Sequence, residues 1–338
     1  MRILFRLMTA CLLTMLFAAS ASAAPIKIRF GYQPGDINTQ TIYAQAQKLF
    51  DKAGLQVEFI AFPAGPAMLP AFAAGELDLG WMGEFPIVTG YANGMSIEMI
   101  LIDRINLTNV RVVVNPKSGI KTLSELKGKR IGVSIGSTSH QQANLALKKG
   151  GLTQQDVTFV NLAPGNMPAA YEAGQVDAVV TWEPNISAVE RAGGVAIATT
   201  KSLGDITGIF LGARSEFTQQ HPAEVQEVLA VWEQTLKDAT EKPDDVRQYE
   251  AKRLNLSVPE FSDMLTRMGA VYPTYKEQLT KGYFGEPGQV STSLVLNHLK
   301  DIGDFLISEK RISALPSDWS KIINTKPLQT YLASKKAD

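Results

Sequence analysis

The sequence predicts an α/β protein of two lobes, each a mostly parallel sheet flanked by helices, with a helical tail at the C-terminal end. Three observations predict it. First, one stretch occurs twice: Pro63 to Trp81 returns as Pro164 to Val180, and laying Gly75 over Gly174 also matches Met68 with Met167, Phe72 with Tyr171, Ala74 with Ala173 and Asp78 with Asp177. Second, strand and helix patterns alternate ahead of both copies, the order of a parallel sheet covered by helices. Third, beyond Arg214 the pattern becomes helical only.

Taken in order, the first residues read as an export signal. Arg2 and Arg6 are followed by an apolar run from Leu7 to Ala19 and by Ala21-Ser22-Ala23, a small-residue cleavage pattern, so residues 1–23 are expected to be a cleaved signal peptide. The run is shorter than the roughly 20 residues a spanning helix needs. The one cysteine, Cys11, lies inside it, so the mature chain carries no disulfide into an oxidising compartment. Lys+Arg and Asp+Glu both number 33 with no block of one sign, which argues against nucleic acid or a membrane surface as the main partner.

Lys27 to Tyr32 alternates as a strand does, and Gln33-Pro34-Gly35-Asp36 breaks it. Asn38 or Thr39 caps a helix with Ile42, Ala46, Leu49, Phe50 and Ala53 on one stripe, and Leu55 to Phe59 is the next strand. Each repeat then reads as a turn, a short helix, a glycine stop and a strand, with Gly75 and Gly174 suited to the left-handed position past a helix end. The first lobe takes residues 24–114 and the second residues 115–205, opening on a strand at Lys129 to Val133 and a helix from Thr138 or Ser139 to Lys149. Gly208 to Ala213 returns to the first lobe, so residues 206–338 complete it, and Pro222 opens the tail with Val225, Val228, Leu229, Trp232 and Leu236 on one face.

Four segments then carry a resemblance: Phe62-Pro63-Ala64-Gly65-Pro66, Ala74-Gly75-Glu76-Leu77-Asp78, Gly136-Ser137-Thr138-Ser139-His140 and Trp182-Glu183-Pro184. Their order and spacing resemble the periplasmic substrate-binding proteins of sulfonate, taurine and nitrate ABC importers, most clearly from Ile26 to Phe217. The resemblance implies a type II-like periplasmic binding protein that closes on a small solute and delivers it to a permease and its ATPase. Tyr32-Gln33, Ser137-Thr138-x-His140 and Val160-Asn161-Leu162 are similar to the taurine-binding branch. The chain departs from it at Trp81 to Pro86, where that branch tends to carry small hydroxyl residues rather than Glu84.

The candidate ligand residues follow from where such lobes bind, beyond the carboxyl ends of strands where helix N-termini present free N–H groups and partial positive charge. Ser137, Thr138 and His140 form the best anion site, the alternative being an ordinary capping box of Ser139 with Gln142. Gly65, Pro66 and Met68 open the matching helix of the first lobe. Glu84 is the sharpest candidate, because a carboxylate in a closing cleft costs several kcal/mol, roughly, unless paired, and a ligand ammonium would pair it. Its alternative is a first-turn acid complementing a helix dipole. Trp81 and Trp182 are candidate pocket walls or core residues, with Glu183 beside the second; Gln33 and Asp205 complete the set.

The rival class is an exported hydrolase. Only three histidines, no mature thiol and no His-Glu-x-x-His helix argue against it, and nothing calls for a metal or cofactor. A rival solute within the binding class is a nitrogen heterocycle, such as a thiamine pyrimidine precursor, stacked on Trp81 or Trp182.

Overall fold

The structure, a computed structural model, describes residues 26–335. The expected signal peptide lies outside the described residues. Two sheets form the lobes. The first has the order β11 (Ala270–Val271), β4 (Ile97–Asn106), β10 (Thr207–Arg214), β3 (Leu79–Gly83), β1 (Lys27–Tyr32), β2 (Gln56–Ala61), and the second β7 (Thr158–Asn161), β6 (Arg130–Val133), β8 (Ala178–Thr181), β5 (Arg111–Val114), β9 (Val195–Thr199).

In the first lobe β1 (Lys27–Tyr32) pairs in parallel with β2 (Gln56–Ala61) and with β3 (Leu79–Gly83), and helix α1 (Thr39–Ala46) connects β1 to β2. In the second, β6 (Arg130–Val133) pairs in parallel with β7 (Thr158–Asn161) and β8 (Ala178–Thr181). These parallel trios are the repeated units. The repeat itself is a 3₁₀ turn running into α2 (Leu69–Ala73) or, in the second lobe, α5 (Met167–Glu172), then a glycine and a strand. Gly75 and Gly174 have φ of +69° and +67°, the left-handed conformation that ends each short helix at little cost only for glycine.

The crossing strands make both sheets mixed. The long strand β4 (Ile97–Asn106) lies antiparallel to β10 (Thr207–Arg214) in the first sheet, and β5 (Arg111–Val114) lies antiparallel to β8 and β9 (Val195–Thr199) in the second. β5 contains the Val112-Val113-Val114 segment assigned above to the end of the first lobe. It is a strand of the second sheet, so the first crossing lies at residues 107–110, and the second lies at 200–206. β4 has no alternation to announce it because all ten of its residues are buried, with both faces covered.

The tail packs chiefly on the first lobe and touches the second at a few points, Arg267 with Glu190, Glu309 with Gln154 and Phe305 with His140. Helix α6 (Pro222–Glu241) puts Val225, Val228, Leu229 and Trp232 into the core with Phe30 and Trp81, and α7 (Leu294–Ser308) adds Leu296, Leu299, Ile302 and Leu306. The edge strand β11 (Ala270–Val271) lies between these helices in sequence. Among the described residues no helix is long and apolar enough to cross a membrane.

Candidate solute cleft

A cavity of about 40 Å³ lies between the lobes at the carboxyl ends of the parallel strands. Local structure explains each wall. Gln33 and Asp36 follow β1, Gly65 and Pro66 follow β2, and Gly83 and Pro86 sit where β3 runs into α3 (Glu84–Ala92). Ser137 and Thr138 come from the start of α4 (Thr138–Lys149), and Trp182 follows β8. The back is closed by Arg104 and Asn106 at the end of β4, Asn109 and Val110 in the first crossing, and Thr207, Gly208 and Ile209 at the start of β10.

Arg104 is the cation of the cavity. Its guanidinium is buried, donates to Asp103 at 2.9 Å and stacks 5.2 Å from the centre of the Trp81 ring, while its Nε has no partner in the fold. Asn106 Oδ1 is likewise buried and unpartnered. Both are polar atoms whose burial costs free energy until something pairs them. Asp36 is the cavity's carboxylate. Burial pushes its carboxyl up to about 6, against a hydrogen bond from Trp182 and the charges of Arg104 and Arg253. The Trp182 indole N–H donates to Asp36 Oδ1 at 2.9 Å, from one lobe to the other. Ser137 caps α4 by accepting from Ser139 N–H at 3.2 Å, and its hydroxyl donates to the Ser134 carbonyl at 2.7 Å. Gly136 turns the loop before α4 at φ +83°, and a side-chain carbon placed on it would stand 3.8 Å from Pro66 of the other lobe.

Of the twelve candidate residues, Gln33, Gly65, Pro66, Ser137, Thr138 and Trp182 line this cavity. The other six do not. Met68 is fully buried beneath β1, where its sulfur lies 3.1 Å from the position a side chain on Gly31 would take. Trp81 is fully buried in the first core and donates to Asp103 at 3.2 Å, so it acts on the cavity through Arg104. Glu84 lies just behind the wall: its carboxylate accepts Gly208 N–H at 3.0 Å and the Thr138 hydroxyl at 3.5 Å, and the His298 ring stands 3.8 Å away. His140 points away from the cavity into the rings of Phe85, Phe159 and Phe305, and burial together with the Arg311 charge lowers it to about 4. Glu183 is buried in an ion pair with Arg111 at 3.0 Å and accepts the Ser187 N–H. Asp205 pairs with His298 at 3.2 Å and accepts from Gln142 at 2.7 Å.

The sequence reading passed over Arg104, Asp36, Asn106 and Asn109. The signal for Arg104 was present, since Asp103-Arg104 interrupts an apolar run that begins at Met99. One pattern corrects the reading of the hydrolase rival, which took a Gly-x-Ser-x-Gly elbow to be absent: Gly132-Val133-Ser134-Ile135-Gly136 has that spacing on a strand-to-helix turn. No imidazole serves Ser134, because His140 meets Gln154 at 3.2 Å, His298 meets Asp205 and His221 lies by Glu224.

Two mixed α/β sheets joined by two crossings, with a polar cavity between their strand ends, define a periplasmic-binding-protein fold. The chain belongs to the NMT1-like family, which matches residues 21–255. A relative in Escherichia coli, named for binding aliphatic sulfonates, is 32% identical over 69% of this chain and 73% of its own length. The taurine-binding periplasmic protein of the same organism is 28% identical over 85% of this chain and 88% of its own. Among solved structures, the alkanesulfonate-binding protein SsuA of Xanthomonas axonopodis pv. citri, bound to MOPS, superposes with a TM-score of 0.72 at 23% identity, covering 90% of this chain and all of that one.

Proposed function

We propose that this protein is the exported solute-binding component of an ABC importer, and that it captures a small organosulfonate, a zwitterion such as taurine, between its lobes. One observation carries the reading. The cavity sets the start of α4 and the unpartnered Arg104 Nε, which favour an anion, in the same space as the Asp36 carboxylate, which favours an ammonium. The sulfonate- and taurine-binding relatives support the same class. Glu84 is replaced by Asp36 as the group for the ligand amine, because His298 already stands against Glu84.

The test is calorimetry on ligand-free mature protein with taurine and ethanesulfonate, which differ by the ammonium. Asp36→Asn is expected to weaken taurine about tenfold or more and ethanesulfonate little, a difference of about 1.4 kcal/mol or more. Equal losses would remove the zwitterion, and stabilisation by aminopyrimidines alone would replace the sulfonate with a heterocycle stacked on Trp182.

A further inference from the structure

Glu84, Asp205 and His298 form a charged cluster behind the cavity wall that solute contact leaves unexplained. The three come from the first turn of α3, the second crossing and α7. Glu84 and His298 are buried; His298 Nδ1 stands 3.2 Å from Asp205 Oδ1, while Nε2 faces Glu84 Oε1 at 3.8 Å, a charge contact that leaves Nε2 without a hydrogen-bond partner. Among the described residues no Lys or Arg forms an ion pair with either carboxylate, so His298 is the cation they share. Burial alone would lower this imidazole, but the two carboxylates outweigh it and raise it to about 10. The remaining bonds of the cluster reach outward. Glu84 holds Gly208 N–H at 3.0 Å and faces the Thr138 hydroxyl at 3.5 Å, and both of those residues are cavity wall, one on a crossing strand and one in the second lobe. Asp205 holds Gln142 of α4 at 2.7 Å.

We infer that His298 is a positioning residue for solute binding: its imidazolium keeps Glu84 and Asp205 in place, and through them fixes Gly208, Thr138 and α4 around the cavity when the lobes meet. The inference rests on the cavity being the solute site. It assigns to the C-terminal tail a part in binding, although no tail residue lines the cavity.

The physical basis is that removing one partner of a buried charge group leaves the others uncompensated, whereas removing charge on both sides does not. His298→Gln is therefore expected to weaken taurine and ethanesulfonate alike, about tenfold or more, and adding Glu84→Gln is expected to recover part of that loss. Two further readouts do not depend on the solute. In the wild-type protein, nitrogen NMR should find both His298 ring nitrogens protonated at pH 8, and in His298→Gln the Gly208 amide should exchange with solvent faster. Affinity within twofold of wild type, losses that simply multiply in the double variant, or a singly protonated His298 at pH 8 would each overturn the inference. If no sulfonate stabilises the wild-type protein, the functional reading fails, and the NMR and exchange results still decide whether His298 holds the wall.

Discussion

The two copies of the repeated unit use one device in two settings. In the first, Asp78 accepts the backbone N–H of Arg29 at 2.9 Å and its guanidinium at 2.6 Å; in the second, Asp177 accepts the same two groups of Arg130 at 2.8 and 2.9 Å. The surroundings differ. Arg214, at the end of the returning strand β10, adds a second guanidinium to Asp78 at 2.7 Å, and that aspartate side chain is only 5% exposed against 25% for Asp177. The tail explains the rest of the asymmetry. Its helix α6 brings Trp232 onto Asp103, which also accepts from Trp81, so the first lobe's tryptophan is enclosed. No tail helix contributes to the two cores of the second lobe, and Trp182, one residue past its strand, stays at the cavity. A shared unit sets the strand and helix geometry, and what covers it decides which side chains are left to meet solute.

The comparison breaks most directly at the two aspartates. Asp78→Ala leaves two guanidiniums and a backbone N–H without their acceptor in a largely buried site, an expected loss of about 3 kcal/mol. Asp177→Ala opens a pair exposed to water, with an expected loss of about 1 kcal/mol or less. Urea unfolding of the two variants measures both. Equal losses would mean that the added arginine and the tail do not distinguish the lobes.

The repeat was legible because it rests on local rules. Glycine past a helix end, proline in the opening turn and aspartate ahead of the strand each declare themselves within a few residues. The start of α4 was legible for the same reason, and Ser137 is its cap. What was not legible depended on partners far along the chain. Glu84 was read as a partner for a ligand amine or a first-turn acid on a helix dipole, and the structure sets His298 against it, from a tail that carries no readable motif. Arg104 was missed because β4, buried on both faces, shows no alternation to mark it as a strand whose end reaches the cleft. Met68, at the opening of a helix facing the cleft, and Trp81, as pocket wall or core, were candidates from their places in the repeat, yet the repeat determines which way the chain runs and not what the tail later covers.

Two glycines, Gly83 just past the first copy and Gly174 within the second, sharpen the comparison between cleft and scaffold. Gly83, with φ of −67°, could be alanine as far as its backbone is concerned, but the new methyl would stand 2.8 Å from the Thr138 hydroxyl of the other lobe. Thr138 must rotate away from Glu84 or the lobes must part, so Gly83→Ala is expected to weaken solute about three- to tenfold with little change in unfolding of the ligand-free chain. Gly174→Ala is the converse. A side chain at φ +67° with open space around it is expected to cost about 1 kcal/mol of stability and leave affinity unchanged. An affinity loss in Gly174→Ala, or none in Gly83→Ala, would mean that the lobes do not meet at Thr138 when solute is held.

The smallest effect is expected from acid, because two groups at the lobe contact oppose each other. His140 is lowered from 6.5 to about 4 by burial and the Arg311 charge, so as pH falls through this window the unfolded chain takes up the proton first and stability is lost. Asp36 is raised from 3.8 to about 6 by burial, so between those values the folded chain holds the proton more tightly and stability is gained as pH falls. Over pH 6 to 4 the two contributions run in opposite directions, and the wild-type protein is expected to change little on their account. His140→Phe keeps an aromatic ring among Phe85, Phe159 and Phe305 while removing the titration, so the ligand-free variant should lose less stability between pH 6.5 and 4.5 than the wild-type chain. Asp36→Asn should lose more, because it keeps the His140 penalty and gives up the gain. Urea unfolding at the two pH values separates the three proteins, and a common slope for all of them would place neither group in a buried contact between the lobes.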